Sequence, residues 1–108
     1  MKFGATYELL AGHKTLTSRI PAERWYGWYK DVNLESKIVQ AEGLDGEKQP
    51  IRLIGCNIHK VGWVRDNKFW AEGFSSPQGF EDIWRKLYGR FDPDELVCSI
   101  GFEVLGKA

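Results

Sequence analysis

Between Lys14 and Arg19 the chain gathers an ammonium, hydroxyls at Thr15 and Thr17, and a guanidinium. Thr15 to Ile20 is rich in β-branched residues and reads as a strand. Alternation along a strand places Thr15, Thr17 and Arg19 on one face. Lys14 sits in the turn just before, where its flexible stem reaches over either face. The carboxylate that completes the set is Glu72, in the run Ala71-Glu72-Gly73-Phe74 at a helix entry. Two kinds of chemistry follow. A threonine hydroxyl is a poor nucleophile until a neighbour takes its proton. Lysine, with an ordinary pKa of about 10.4, acts as that base near pH 7 only if burial and a nearby cation such as Arg19 neutralise it. If Glu72 instead pairs with Lys14, the ammonium stays charged. It then stabilises an oxyanion or holds a phosphate, and Glu72 is the better base for a water. Both schemes stay open from the residues alone. By pattern alone, a strand with threonine and arginine on its polar face more often describes solvated surface.

Several elements must position these groups. Phe3, Tyr7 and Leu10 share one face of a short helix, which Gly12 closes. Pro21 ends the first strand. Arg24-Trp25-Tyr26-Gly27-Trp28-Tyr29-Lys30 interleaves basic and aromatic residues, as base-stacking surfaces do. Read as a strand, it sets Trp25, Gly27 and Tyr29 on one face and Tyr26 with Trp28 on the other. One set packs in the core, and Trp28 and Tyr29 are expected to border the ligand. Asn33 to Glu42 is a further candidate strand. Asp45-Gly46 signals a hairpin turn. Pro50, which has no N–H to give, belongs at a strand start or an edge. Ile51 to Val64 reads as one long strand, with Gly55 and Gly62 marking bulges or bends.

The clearest element is a helix whose apolar stripe is Phe80, Ile83, Trp84, Leu87 and Tyr88. Ser76 caps it, Pro77 follows in the first turn, and Gly89 closes it. The last strand sets Leu96, Cys98, Ile100, Phe102 and Val104 on one face. The order of helix, strands, helix and strand predicts an α+β domain, with a mixed, mostly antiparallel sheet curled into a small barrel with flanking helices.

Composition narrows the function. At 108 residues the chain is expected to be one domain, 1–108, with a core that needs neither disulfide nor metal. Lys plus Arg and Asp plus Glu number 15 each, for zero net charge. A protein that holds long nucleic acids by their phosphates usually carries a basic excess, so short oligonucleotides or single nucleosides are the better-matched ligands. There is neither a membrane-length apolar run nor a secretory-type start, so a cytoplasmic protein is expected. Cys56 and Cys98 sit in apolar strands and read as reduced, buried thiols. No Cys/His spacing suits zinc, and His13 and His59 stand alone; no metal or cofactor is expected. Arg85, Lys86 and Arg90 read as the solvated side of the last helix.

The run Leu10-Ala11-Gly12-His13-Lys14-Thr15-Leu16-Thr17-Ser18-Arg19 resembles the opening motif of the ASCH family. Glu72-Gly73-Phe74-Ser75-Ser76, followed by Phe80 and Trp84, resembles that family's Glu-Gly-Phe helix entry. Val97 to Glu103 resembles its last strand. The matches keep family order and span about the whole chain. After Arg19 the chain departs from the pattern, so the pocket wall is its own. The resemblance implies a PUA-like β-barrel and RNA-related roles. In small bacterial amidohydrolase members it implies removal of acyl groups from the exocyclic amine of cytidine. The catalytic set of those members corresponds to Lys14, Thr17 and Glu72 here, with Thr15, Arg19, Trp28 and Tyr29 as expected ligand contacts. Enzyme activity, leaning towards a hydrolase acting on a nucleoside amide, is therefore one expectation. A non-enzymatic RNA-binding module, a ribonuclease on single-stranded RNA and a protein-interaction domain are the others.

Overall fold

A computed structural model of the chain describes residues 15–34, 38–42, 46 and 48–105. The elements are β1 (Leu16–Arg19), α1 (Ala22–Leu34), β2 (Val39–Glu42), β3 (Lys48–Lys60), α2 (Val61–Asn67), α3 (Pro77–Tyr88) and β4 (Leu96–Val104). The helix expected over Phe3–Leu10 lies outside the described residues, as do Gly12, His13 and Lys14.

The strands form one antiparallel sheet in the order β1-β4-β3-β2. The expected barrel does not form: among the described residues the edge strands β1 and β2 stay unpaired with each other. Closure needs tilted, staggered strands that bring both edges together. Here each edge strand has only four residues.

Alternation along β4 builds two cores on opposite faces of the sheet. Cys98, Ile100 and Phe102 join Ile51, Leu53 and Ala41, and Ala22, Trp25, Trp28, Tyr29 and Val32 of α1 pack on them. Val97 points the other way, into a cluster with Val61 and Val64 of α2 and Phe80 and Trp84 of α3. Ile51, Ile100 and Phe102 are essentially fully buried, and each such side chain contributes roughly 1.5–3 kcal/mol of transfer free energy. Cys56 and Cys98 are free thiols whose sulfurs lie 2.8 Å apart across β3 and β4.

Four expectations change. The strand expected over Asn33–Glu42 is Val39–Glu42 alone, because Asn33 and Leu34 end α1. The aromatic run Arg24–Tyr29 is helical, not extended. Trp25, Trp28, Tyr29 and Val32 recur at i, i+3, i+4 and i+7, which turns all four onto one face. The strand expected over Ile51–Val64 stops at Lys60, and α2 follows. There Val61 N–H donates to Glu95 C=O at 2.8 Å and Gly62 N–H to Pro93 C=O at 3.0 Å. Those bonds satisfy donors that a helix start leaves open. Gly62 is required by the close approach: a Cβ there would sit 2.7 Å from that of Pro93. The stripe of α3 is only partly buried, since Phe80 and Trp84 are covered while Ile83, Leu87 and Tyr88 are exposed.

Other features follow the expectation. The Ser76 hydroxyl accepts from Gly79 N–H, Pro77 opens α3, and Gly89 closes it at φ 80°. Gly55 sits at a register shift between β3 and β4. Pro50 departs from its expectation: it is the third residue of β3, a strand paired on both sides, and neither a strand start nor an edge. Its carbonyl accepts from Leu105 N–H at 2.8 Å, and the Gln49 side chain donates to Leu105 C=O at 2.8 Å. The amide of Gln49 thus replaces the donor that proline lacks.

Candidate functional site

Two backbone hydrogen bonds bring the predicted halves of the site together. The Ala71 carbonyl accepts from Thr15 N–H at 2.8 Å and from Leu16 N–H at 3.0 Å. The turn that follows α2 is thereby fixed to the start of β1, and Glu72 is the next residue. A nest of local bonds holds that turn: Glu72 N–H to Lys68 C=O, Gly73 N–H to Trp70 C=O and Phe74 N–H to Phe69 C=O.

The side chains at this junction are mostly buried. Thr17 and Glu72 are each 5% exposed, which for a carboxylate is rare unless it is paired or has a chemical task. Thr17 lies opposite Ile100 in β4 and Arg19 opposite Cys98, so both project on the α1 side of the sheet. The Arg19 guanidinium lies over the Trp25 ring, 4.7 Å from its centroid. Burial pulls Arg19 below the usual guanidinium value, opposed only in part by its electrostatic coupling to Tyr88 and Glu72. Burial likewise raises the Tyr88 phenol, against the lowering effect of Arg19, with Glu72 and Glu95 adding to the rise. Glu72, Arg19 and Tyr88 therefore form one electrostatic unit.

Beside this unit, at the end of β1, opens a cleft of about 610 Å³ whose walls include Pro21, Ala22, Glu23, Tyr88 and Glu95. That volume lies within the roughly 300–1,000 Å³ of small-molecule sites. Tyr88 belongs both to the cleft wall and to the charged unit.

Of the predicted site residues, Thr15 is exposed at the mouth of β1, and Lys14 lies outside the described residues. Trp28 and Tyr29 pack against the core beneath α1, with the Trp28 ring edge-on to Trp25 at 5.4 Å. Neither lines the cleft, and nor do Thr17, Arg19 and Glu72, which stand behind its Tyr88 wall. Trp25, Tyr88 and Glu95 are neighbours of the site that the sequence reading does not assign. For Trp25 the signal is its helical spacing from Ala22, Trp28 and Tyr29. Tyr88 and Glu95 arrive only through the packing of α3 and the loop before β4. Among the described residues no three His, Cys, Asp or Glu side chains come together as a metal site.

Two solved structures share this architecture. The ASCH domain from Lactobacillus crispatus JV V101 superposes with a TM-score of 0.62 at 15% identity, covering 91% of this chain and 68% of that one. Protein EF3133 from Enterococcus faecalis V583, with the family designation DUF984, superposes at 0.51 and 23% identity, covering 92% and 68%. The chain has an ASCH-like fold. Neither a family model nor a curated protein matches it by sequence. Within the ASCH-like fold, the expected motif residues Thr17 and Glu72 fall on β1 and on the turn hydrogen-bonded to it. Helix α1, within the stretch between Arg19 and Pro50 where the resemblance lapses, supplies Trp25 and the cleft residues Ala22 and Glu23. No helix among the described residues is long and apolar enough to cross a membrane.

Proposed function

We propose that the chain handles RNA or a modified nucleoside, and that it hydrolyses the amide of acylated cytidines in the cleft at the end of β1. The observation that carries this reading is Glu72: a carboxylate 5% exposed, beside the strand of Thr17 and Arg19 and in electrostatic contact with Arg19 and Tyr88.

In the reaction Glu72 takes a proton from a water, whose oxygen attacks the acyl carbon. The carbonyl electrons move onto oxygen, where Lys14 and the Thr17 hydroxyl stabilise the developing charge. The C–N bond then breaks, and the proton held by Glu72 goes to the departing amine of cytidine. The acyl group leaves as a carboxylic acid. Arg19, seated on Trp25, keeps Glu72 in place. The alternative order of events makes Thr17 the nucleophile, with an acyl-enzyme that water then cleaves.

The test is release of cytidine from a panel of acylated cytidines. Glu72→Gln, Lys14→Ala and Thr17→Val should each lose at least about a hundredfold in kcat/KM, as loss of an acid-base or oxyanion group does, while circular dichroism stays unchanged. Thr17→Ser keeps turnover, and trapping of an acyl adduct identifies the nucleophilic order. No release by the wild-type chain above blank removes the hydrolase reading. Salt-sensitive binding of single-stranded RNA without turnover replaces it with an RNA-binding module.

A further inference from the structure

The face of the sheet turned away from Thr17 carries a second concavity. Thr17 pairs with Ile100, whereas Leu16 pairs with Gly101 and Ser18 with Ser99. Gly101 and Ser99 therefore face the opposite side. Gly55 lies opposite Gly101 on β3, and the two form a glycine floor that the Ile54 side chain borders, its Cγ1 3.5 Å from where a Cβ on Gly101 would sit. A Cβ on Gly55 would meet no atom within 4 Å, so the space above it is open. The hollow holds about 220 Å³ and is also lined by His59, Trp63 and Lys68.

We propose that this hollow is a second binding site, for a single nucleotide, with the base on the glycine floor against Trp63 and the phosphate on Lys68. This rests on the reading above that the chain handles RNA or nucleosides. Four features favour that ligand. The volume is below the roughly 300–1,000 Å³ of sites for drug-sized molecules, and suits one base. Trp63 is 42% exposed although large and apolar, and its ring stacks on His59 at 4.3 Å and 25°. Such a surface is sequence-tolerant towards bases, since every base has a π-face. The residues lining the hollow include Lys68 and no acid, which fits an anionic ligand.

The fourth feature is Ser99, which is 3% exposed. Its hydroxyl lies 2.8 Å from that of Ser18. Two hydroxyls carry two protons, and the bond between them uses one. With Ser18 as the donor, the Ser99 proton is the one left for an acceptor on the base.

The experiment titrates the full-length chain with the four ribonucleoside monophosphates and with decauridylate and decaadenylate, read by tryptophan fluorescence and calorimetry. Gly55→Val fills the floor and should weaken binding at least tenfold. Trp63→Ala should do the same. Lys68→Gln should lower the slope of log affinity against log salt by about one phosphate, and this half-buried position tests the site even if Trp63→Ala unfolds. Binding of monophosphates identifies a free nucleotide as ligand, and binding of the decamers alone identifies single-stranded RNA. Unchanged affinity in a folded Gly55→Val chain overturns the site, as does the absence of any nucleotide binding by the wild type. Glu72→Gln separates the two readings. If it abolishes binding that Gly55→Val leaves intact, the ligand sits in the cleft at β1, and only the second site fails. If Gly55→Val abolishes binding in a chain with no acylcytidine turnover, the hydrolase reading fails and this site stands.

Discussion

Arg19 has two roles at once, because its guanidinium stacks on Trp25 while its charge acts on Glu72 and Tyr88. Lysine carries the charge but not the planar stack, so the two residues are not equivalent at this position. The neighbouring thiols make a separate residue-level case. Burial raises the Cys56 thiol, with a partial opposing effect from Cys98. Burial raises Cys98 more strongly, and its contact with Cys56 adds to the rise. The thiolate is the reactive form, so at neutral pH both should react slowly with Ellman's reagent in the native chain, faster as pH rises, and at once in denaturant. Immediate reaction of both in the folded protein would contradict this assignment. The face shared by Thr17 and Arg19 is legible from strand alternation, whereas Glu72 falls in the turn after α2, whose bonds from Thr15 and Leu16 to Ala71 no local pattern shows. Trp25, Tyr88 and Glu95 are not legible either, because their approach depends on how α1, α3 and the last loop pack.

At the level of elements, α2 and α3 are clasped by charge. Arg65 donates to Glu81 at 2.6 Å, and Arg85, one turn on from Glu81, donates to its other oxygen at 2.9 Å. Both guanidinium groups also lie over Phe91, at 4.9 and 5.9 Å from its centroid. Bonds from Arg65 and then Arg85 hold the Glu81 carboxyl below its ordinary value of 4.5. A carboxyl depressed in the folded state stabilises it above that ordinary value, and the contribution is lost as pH falls through the lower folded value. Glu81→Gln should therefore lower the melting temperature at pH 7 modestly, as partly exposed pairs do, and flatten its decline below pH 4.5. An unchanged acid profile in the variant would show that the clasp contributes nothing. Helix α3 is legible because cap, proline, stripe and closing glycine all agree. Helix α1 is not: its aromatic residues favour strands, and a period of two fits the five residues Trp25 to Tyr29. Only a longer window, from Ala22 to Val32, contains the helical period. The start of α2 is set by bonds to Pro93 and Glu95, residues some thirty positions away that local pattern cannot see.

For the whole molecule, the open sheet matters more than the expected barrel. An open sheet has two usable faces. One takes α1, the other takes α2, α3 and the glycine-floored hollow, and the cleft between Ala22 and Tyr88 opens at the end of β1. Zero net charge gives the chain as a whole no long-range attraction for polyanions, which suits short ligands over long ones.

The proline of β3 has a consequence for how those faces stay aligned. Sliding one strand by a single residue would turn every side chain to the wrong face. Pro50 can sit opposite a carbonyl only where another donor replaces its own, and Gln49 does so at Leu105 alone. The pair thus acts as an index mark, tolerating one alignment of β3 on β4 and penalising its neighbours. Gln49→Ala should cost about 1 kcal/mol, the order of an orphaned carbonyl near the surface, and Pro50→Ala should restore much of it by returning an N–H to the ladder. Additive losses in the double variant would show that the two residues do not cooperate.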